Sequence, residues 1–203
     1  MAKRPMRQLI IPVILVVFLF LMISCVTGSS PAPAVNLDRA SALRLTRFAE
    51  YINRGRALFY EYRYEEAIEM VYEAITIYPD NVIGYTLLGQ IHFRLNNFEE
   101  ALRYASLALE RDPAFGAANG LMGAILHFGF GDHGNALHYY NLAIWYEPTA
   151  DSHFFHRGQL HRLKGHNDMA LQDFNAAIAI KPLNSTNRRT RGILAFTPLG
   201  THS

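Results

Sequence analysis

Glycine, alanine, alanine and proline recur four times along this chain at nearly constant internal offsets. The sets are Gly55, Ala67, Ala74 and Pro79; Gly89, Ala101, Ala108 and Pro113; Gly123, Ala136, Ala143 and Pro148; and Gly158, Ala170, Ala177 and Pro182. Their prolines fall 34, 35 and 34 residues apart, a period that belongs to stacked supersecondary units rather than to one globular core. A single unit of that size cannot bury its own apolar face, so each neighbour must supply part of the core.

With half of its 203 residues apolar and 12% aromatic, the chain has the material for a real core. Part of that apolar content is a targeting segment. Lys3, Arg4 and Arg7 form a positive n-region, and Leu9 to Ile23 form an apolar run broken only by Pro12, so residues 1–24 read as a signal peptide. The run is shorter than the ~20 residues that a membrane-spanning helix needs. Leu21-Met22-Ile23-Ser24-Cys25 resembles the lipobox of bacterial lipoproteins, in which the cysteine is lipidated and becomes the mature N-terminus. That resemblance implies lipidation of Cys25, the only cysteine, and so excludes disulfides and thiol catalysis. The alternative is an uncleaved signal anchor; either version attaches the protein to a membrane. Val26 after the cysteine resembles the outer-membrane sorting class of two-membrane bacteria, which implies a lipid-anchored envelope protein facing the periplasm. Cys25 and the Ser, Pro and Ala-rich stretch behind it, residues 25–36, read as a tether. Without residues 1–24 the chain holds 16 basic against 17 acidic residues, a formal charge of −1. No clustered positive surface remains for nucleic acid, and Arg188, Arg189 and Arg191 read as a solvated tail.

From Leu37 the pattern turns helical, with 37–47 opening the first helix and with units at 48–81, 82–115, 116–150 and 151–184. Each holds a helix, a short turn, a second helix and a terminating proline. These units resemble tetratricopeptide repeats, whose pattern has large residues at positions 4 and 11, Gly at 8, Ala at 20 and 27, an aromatic at 24 and Pro at 32. The resemblance implies an all-α solenoid with a right-handed superhelical path. Gly at 8 and Ala at 20 would sit where the two helices of one unit approach most closely, with Tyr51, Tyr85 and Phe174 filling gaps between small residues. Unit 3 carries one extra residue, assigned to its turn Gly129-Phe130-Gly131-Asp132-His133-Gly134, where an insertion is cheap. No helix-length segment follows Pro182 to cap the stack, since Gly192 and Pro198 break residues 185–203. Either Ile193, Leu194 and Phe196 fold back over Leu171, Phe174 and Ile178, or a second molecule covers that end and the protein self-associates.

Chemistry-bearing motifs reduce to structural ones. Gly129 to Gly134 spells GxGxxG, but a nucleotide fingerprint needs a preceding strand, and a helix is expected there. His153 and His156 share a helix face, yet no HExxH and no carboxylate at a ligand offset accompany them, and His161 falls on a packing position. No metal or cofactor is expected. Acidic pairs Glu65-Glu66 and Glu99-Glu100 open second helices, where negative charge favours the helix N-terminus. No nucleophile, base or paired-carboxylate arrangement remains, so the chain reads as a non-enzyme.

What the resemblance offers instead is a groove lined by positions 2, 5, 9, 12 and 13 of each first helix. The binding residues it implies are Ile52, Arg56, Phe59 and Tyr60; Thr86, Gln90, Phe93 and Arg94; His127 and Phe128; and Phe155, Gln159 and Arg162. Aromatic and arginine side chains dominate binding energy at interfaces, and no carboxylate stands among these positions. A chaperone-type clamp on a C-terminal carboxylate is not implied, because its places hold Ile52, Arg56, Leu87, Ala117 and Leu121. The reading is a non-catalytic adaptor that captures a protein segment and supports an envelope complex. Two alternatives stand beside it: a surface-exposed, adhesin-like binding lipoprotein and a ligand-binding accessory of a transporter.

Overall fold

Apolar residues return every three or four positions through each unit, the period of a helix with one buried stripe. In the structure, a computed structural model that describes residues 39–182, this pattern becomes α1 (Arg39–Tyr60), α2 (Tyr64–Ile77), α3 (Val82–Arg94), α4 (Phe98–Arg111), α5 (Gly116–Ala124), α6 (His133–Tyr146), α7 (Asp151–Leu163) and α8 (Asn167–Ile180). A π-helical turn, Ile125–Gly129, continues α5. Among the described residues there is no strand. Residues 1–38, with the signal segment, Cys25 and the tether, lie outside them, as does the tail with Arg188, Arg189, Arg191, Ile193, Leu194 and Phe196. The chain divides into two compact units between Ala42 and Leu43; of the first only the opening turn of α1 is described, and the hairpins belong to the second.

Small side chains set how closely the helices of a hairpin approach. All eight repeat alanines, Ala67, Ala74, Ala101, Ala108, Ala136, Ala143, Ala170 and Ala177, are fully buried. A Cβ on Gly55 or Gly89 would stand 3.4 Å from the carbonyl oxygen of Ala67 or Ala101, and one on Gly123 would stand 3.2 Å from that of Ala136. In units 1 to 3 the first repeat alanine of the second helix is therefore the surface on which the first helix rests, as the spacing predicts, whereas Gly158 of unit 4 faces Phe174 and Asp173. Larger residues fill what remains: Leu88 and Ile91 of α3 pack with Val71 of α2 and Tyr104 of α4. Tyr85 donates to the Pro79 carbonyl at 2.8 Å and lies under the Arg111 guanidinium, so its hydroxyl is satisfied although the ring is buried.

Helix starts follow ordinary capping chemistry. Asn81 accepts from the Ile83 amide at 2.9 Å, and Asp132 accepts from the Asn135 amide at 3.0 Å. The acidic pairs of α2 and α4 sit in the first turn, where Glu66 pairs with Arg63 and Glu100 with Arg103. These pairs are solvent-exposed, so they contribute little beyond favouring the helix N-terminus.

Between the two helices of every unit one residue takes a left-handed conformation: Tyr62 at φ 63°, Asn96 at 60°, Gly131 at 67° and Gly165 at 77°. In units 1, 2 and 4 the next amide reaches back five residues, Arg63 to the Leu58 carbonyl, Asn97 to His92 and His166 to His161, each at 2.9 Å. This is the Schellman closure that satisfies the last carbonyls of a helix. Unit 3 reaches back six, from Asp132 to Leu126. The extra residue of unit 3 is therefore absorbed before the turn, as the π-helical widening of Ile125–Gly129, and not in the loop where the sequence expectation placed it. An α-helix tolerates one added residue by widening a single turn, which keeps the left-handed residue at the same distance from the second helix.

Candidate functional site

Counting backwards from the left-handed residue of each turn places one side chain three positions earlier in every unit: Phe59, Phe93, Phe128 and Arg162. Three of these four are aromatic. Phe93 meets Phe98 at 5.8 Å between ring centroids and Phe128 at 6.3 Å. Phe128, 48% exposed, stacks on His127 at 4.1 Å and meets the edge of His156 at 6.1 Å. His156 in turn touches Phe155 at 5.5 Å, and Phe155 rests on buried Phe174 at 5.7 Å. A second group stands on unit 1, where Phe59 contacts Tyr60 at 5.4 Å and carries the Arg94 guanidinium over its ring at 5.9 Å. Rings from all four units thus form two clusters, with consecutive residues Phe93 and Arg94 of α3 reaching one each.

Of the groove residues expected from sequence, the structure brings Phe59, Tyr60, Phe93, Arg94, Phe128 and Phe155 into this arrangement. Gln159 joins them through a 3.1 Å hydrogen bond between its amide oxygen and His156 Nδ1. Arg56 and Arg162 are exposed and Gln90 is half-buried. Ile52, Thr86 and His127 do not reach the open face. Ile52 packs with Phe48 and Ala74, the Thr86 hydroxyl donates to the Val82 carbonyl at 2.9 Å, and His127 is 8% exposed beneath Phe128. His156 is the member that sequence reasoning missed. Its signal was its place directly after Phe155 and three residues before Gln159.

Beneath the second cluster lies a histidine-rich layer. His127 meets His133 and Tyr140 edge-on, and Tyr140 stacks with His156 at 6.1 Å. Burial holds protonation of His127 down to about 4, with the charges of His133 and His156 acting the same way. Burial also lowers His156, a hydrogen bond to Gln159 opposes that, and Arg94 adds to it from across the groove. Tyr140, fully buried and with no hydroxyl partner among the described residues, is pushed well above the usual phenol range by burial. His92 and His161, at the Schellman carbonyl, and His127, within the π turn, all have an Nδ1 without a hydrogen-bond partner among the described residues and a protonation constant lowered chiefly by burial. His153 bonds to Glu147 at 3.0 Å instead of joining His156. Among the described residues no group of three or more histidines, cysteines or carboxylates is placed to hold a metal ion.

A separate cavity of about 280 Å³ opens between α6, α7 and α8, lined by Leu137, Asn141, Arg157 and Asp173 among others. Its charged groups are closed on one another: Arg157 donates twice to buried Asp173, at 2.6 and 3.0 Å, and once to Asn141. That network replaces an apolar contact, since the residue equivalent to Arg157 in unit 2 is buried Leu88.

Proline-bounded hairpins stacked through small residues, with rings gathered on the first helices, define a helical-repeat interaction protein. Family models for the tetratricopeptide repeat match residues 58–125 and 154–182, and the chain is a tetratricopeptide-repeat protein. No curated protein matches it. Among solved structures it is similar to a thermophilic tetratricopeptide-repeat protein of Thermus thermophilus, at 18% identity and a TM-score of 0.64 over 72% of this chain and 80% of that one. The pilF protein of Pseudomonas aeruginosa matches at 15% identity and a TM-score of 0.67 over 75% of this chain and 69% of that one. YrrB, described as having an unusual peptide-binding site, matches at 21% and 0.52 over 71% and 74%. At these identities the likeness carries the fold alone.

Proposed function

We propose that this protein is a lipid-anchored adaptor of the bacterial cell envelope that captures a segment of another protein across the first helices of its repeats. A tetratricopeptide-repeat fold is a scaffold for protein–protein interaction, and the capture face deepens that role. The observation that carries the reading is the line of half-buried and exposed rings running through all four units. Rings held by one another before binding lose little entropy when a partner settles on them, which is how aromatic anchors come to dominate interfaces. YrrB offers a parallel, as a repeat protein of the same fold with a peptide-binding site. Attachment rests on Cys25 and the lipobox-like run before it, and no described helix is long and apolar enough to cross a membrane. Val26 favours the outer membrane, with the repeats in the periplasm.

Two experiments test this. A photo-crosslinking residue in place of Phe128 should capture an envelope protein in native cells, and Phe93→Ala should abolish that crosslink while leaving the helical circular dichroism intact. Labelled palmitate should enter the wild-type chain and not Cys25→Ser. A crosslink indifferent to Phe93, or a chain that takes up no palmitate, would remove the corresponding half of the proposal.

A further inference from the structure

Resting on that reading of the first-helix face, we propose that Arg94 anchors the captured segment by taking an Asp or Glu side chain of the partner, with aromatic or large apolar side chains of the same segment on either side. Five of the eleven described arginines are committed, Arg44 among them through the Ile77 carbonyl at 3.1 Å; of the three at groove positions, Arg56, Arg94 and Arg162, Arg94 is the one seated over a ring among the described residues. Arg63 is tied to Glu61 and Glu66, Arg103 to Glu100, Arg111 to the Pro79 and Leu107 carbonyls, and Arg157 to Asp173 and Asn141. Arg94 is exposed and, among the described residues, makes neither an ion pair nor a hydrogen bond; the Phe59 ring beneath it at 5.9 Å is its only close partner. A guanidinium resting on a ring has its edge donors turned outward, and that fork fits a carboxylate with two parallel hydrogen bonds.

Position strengthens the case. Arg94 ends α3 between the two ring clusters, over Phe59 on one side, while its charge reaches His156 of the other cluster. The charge complementarity points one way, because none of the groove positions carries a carboxylate and the acidic group acting on His156, Asp151, lies on α7 itself. A segment with a carboxylate between two rings would neutralise Arg94 and bury its rings against Phe59 and Tyr60 on one side and Phe93 and Phe128 on the other. A basic segment would meet an uncompensated positive charge in the middle of its path, so the same residue selects as well as binds.

The test uses purified full-length protein and two eight-residue probe peptides, acetylated and amidated at their ends, with one central Asp flanked on each side by Phe, and an Asn twin. The Asp peptide should bind about tenfold more tightly than its twin at low salt, a preference that added salt erodes. Arg94→Gln should abolish the preference without weakening the Asn peptide. With the Asp peptide bound, the His156 imidazole should titrate at higher pH by nuclear magnetic resonance, because a carboxylate offsets the guanidinium. Equal binding of the twins, or equal weakening of both by Arg94→Gln, overturns the assignment. If both then still depend on Phe93, the capture face stands and only its chemistry was wrong. Binding of neither peptide also overturns the Arg94 assignment, and the Phe128 crosslink decides separately whether the face binds protein at all.

Discussion

Units 2 and 3 begin with the same plan and end their first helices differently. In unit 2, α3 runs as a regular helix from Val82 to Arg94 and closes through Asn96. In unit 3, α5 loses α-helical pitch at Ile125, widens over five residues and closes through Gly131. After closure the two coincide again: Phe93 and Phe128 both stand three residues before the left-handed position and touch one another. The left-handed residue and the ring three positions before it are kept, while the helix body and its closing hydrogen bond yield. A turn that must satisfy the last carbonyls of one helix while capping the next has less freedom than a helix that can widen one of its own turns.

The difference has a cost that should be measurable. Widening carries His127 under Phe128, where burial keeps it neutral until about pH 4, whereas an unfolded histidine takes its proton near 6.5. The folded constant is the lower one, so the stability it represents is complete above about pH 6.5 and lost as pH falls towards 4. Urea titrations should show a loss of about 3 kcal/mol over that window attributable to this group. His127→Phe should flatten that part of the profile; an unchanged slope would assign the acid sensitivity elsewhere, for example to His92 or His161.

Substituting the glycines that seat each first helix sharpens the comparison at the next scale. A Cβ on Gly123 would press on the Tyr140 ring at 2.8 and 2.9 Å and on the Ala136 carbonyl at 3.2 Å, and neither can retreat. Gly89 faces the free end of Leu121 at 2.7 Å, with the Ala101 carbonyl at 3.4 Å. Gly123→Ala should therefore destabilise by about 2 kcal/mol and Gly89→Ala by under about 1 kcal/mol, read as shifts in the urea midpoint. Equal losses would mean that the π turn leaves unit 3 no tighter than unit 2.

Smaller effects belong to the turns. At Gly131 nothing lies within 4 Å of the place a methyl group would take, so Gly131→Ala should cost only the left-handed strain of an L-residue, about 1 kcal/mol in thermal unfolding. Asn96→Gly should change stability by less than about 0.5 kcal/mol, because asparagine enters this region readily. A large effect at Asn96 would reveal a side-chain role beyond its backbone.

Reading forwards from each helix start recovers the hairpins, their small-residue contacts and most of the rings, because packing positions repeat along an α-helix. The same count places Ile52 and Thr86 in the groove, although both turn inward, and it assigns His127 to the face that Phe128 occupies. Reading backwards from the turn places Phe128 correctly, since every ring position keeps its distance to the left-handed residue. That rule needs the backbone angle at Tyr62 and Asn96, which neither residue type announces as glycine would. His156 enters the site through rings of the π turn and α6, contacts between units that a pattern within one unit does not encode.

Periodic glycine, alanine and proline were sufficient to specify stacked helical hairpins, because close approach and chain reversal are local steric demands that particular residue types either meet or fail. Where one surplus residue would be stored, that it would turn His127 inward beneath Phe128, and that Arg94 would come to rest over the Phe59 ring were settled by neighbouring units packing together. Those outcomes depend on distances between residues remote in the chain, and no local steric rule specifies them.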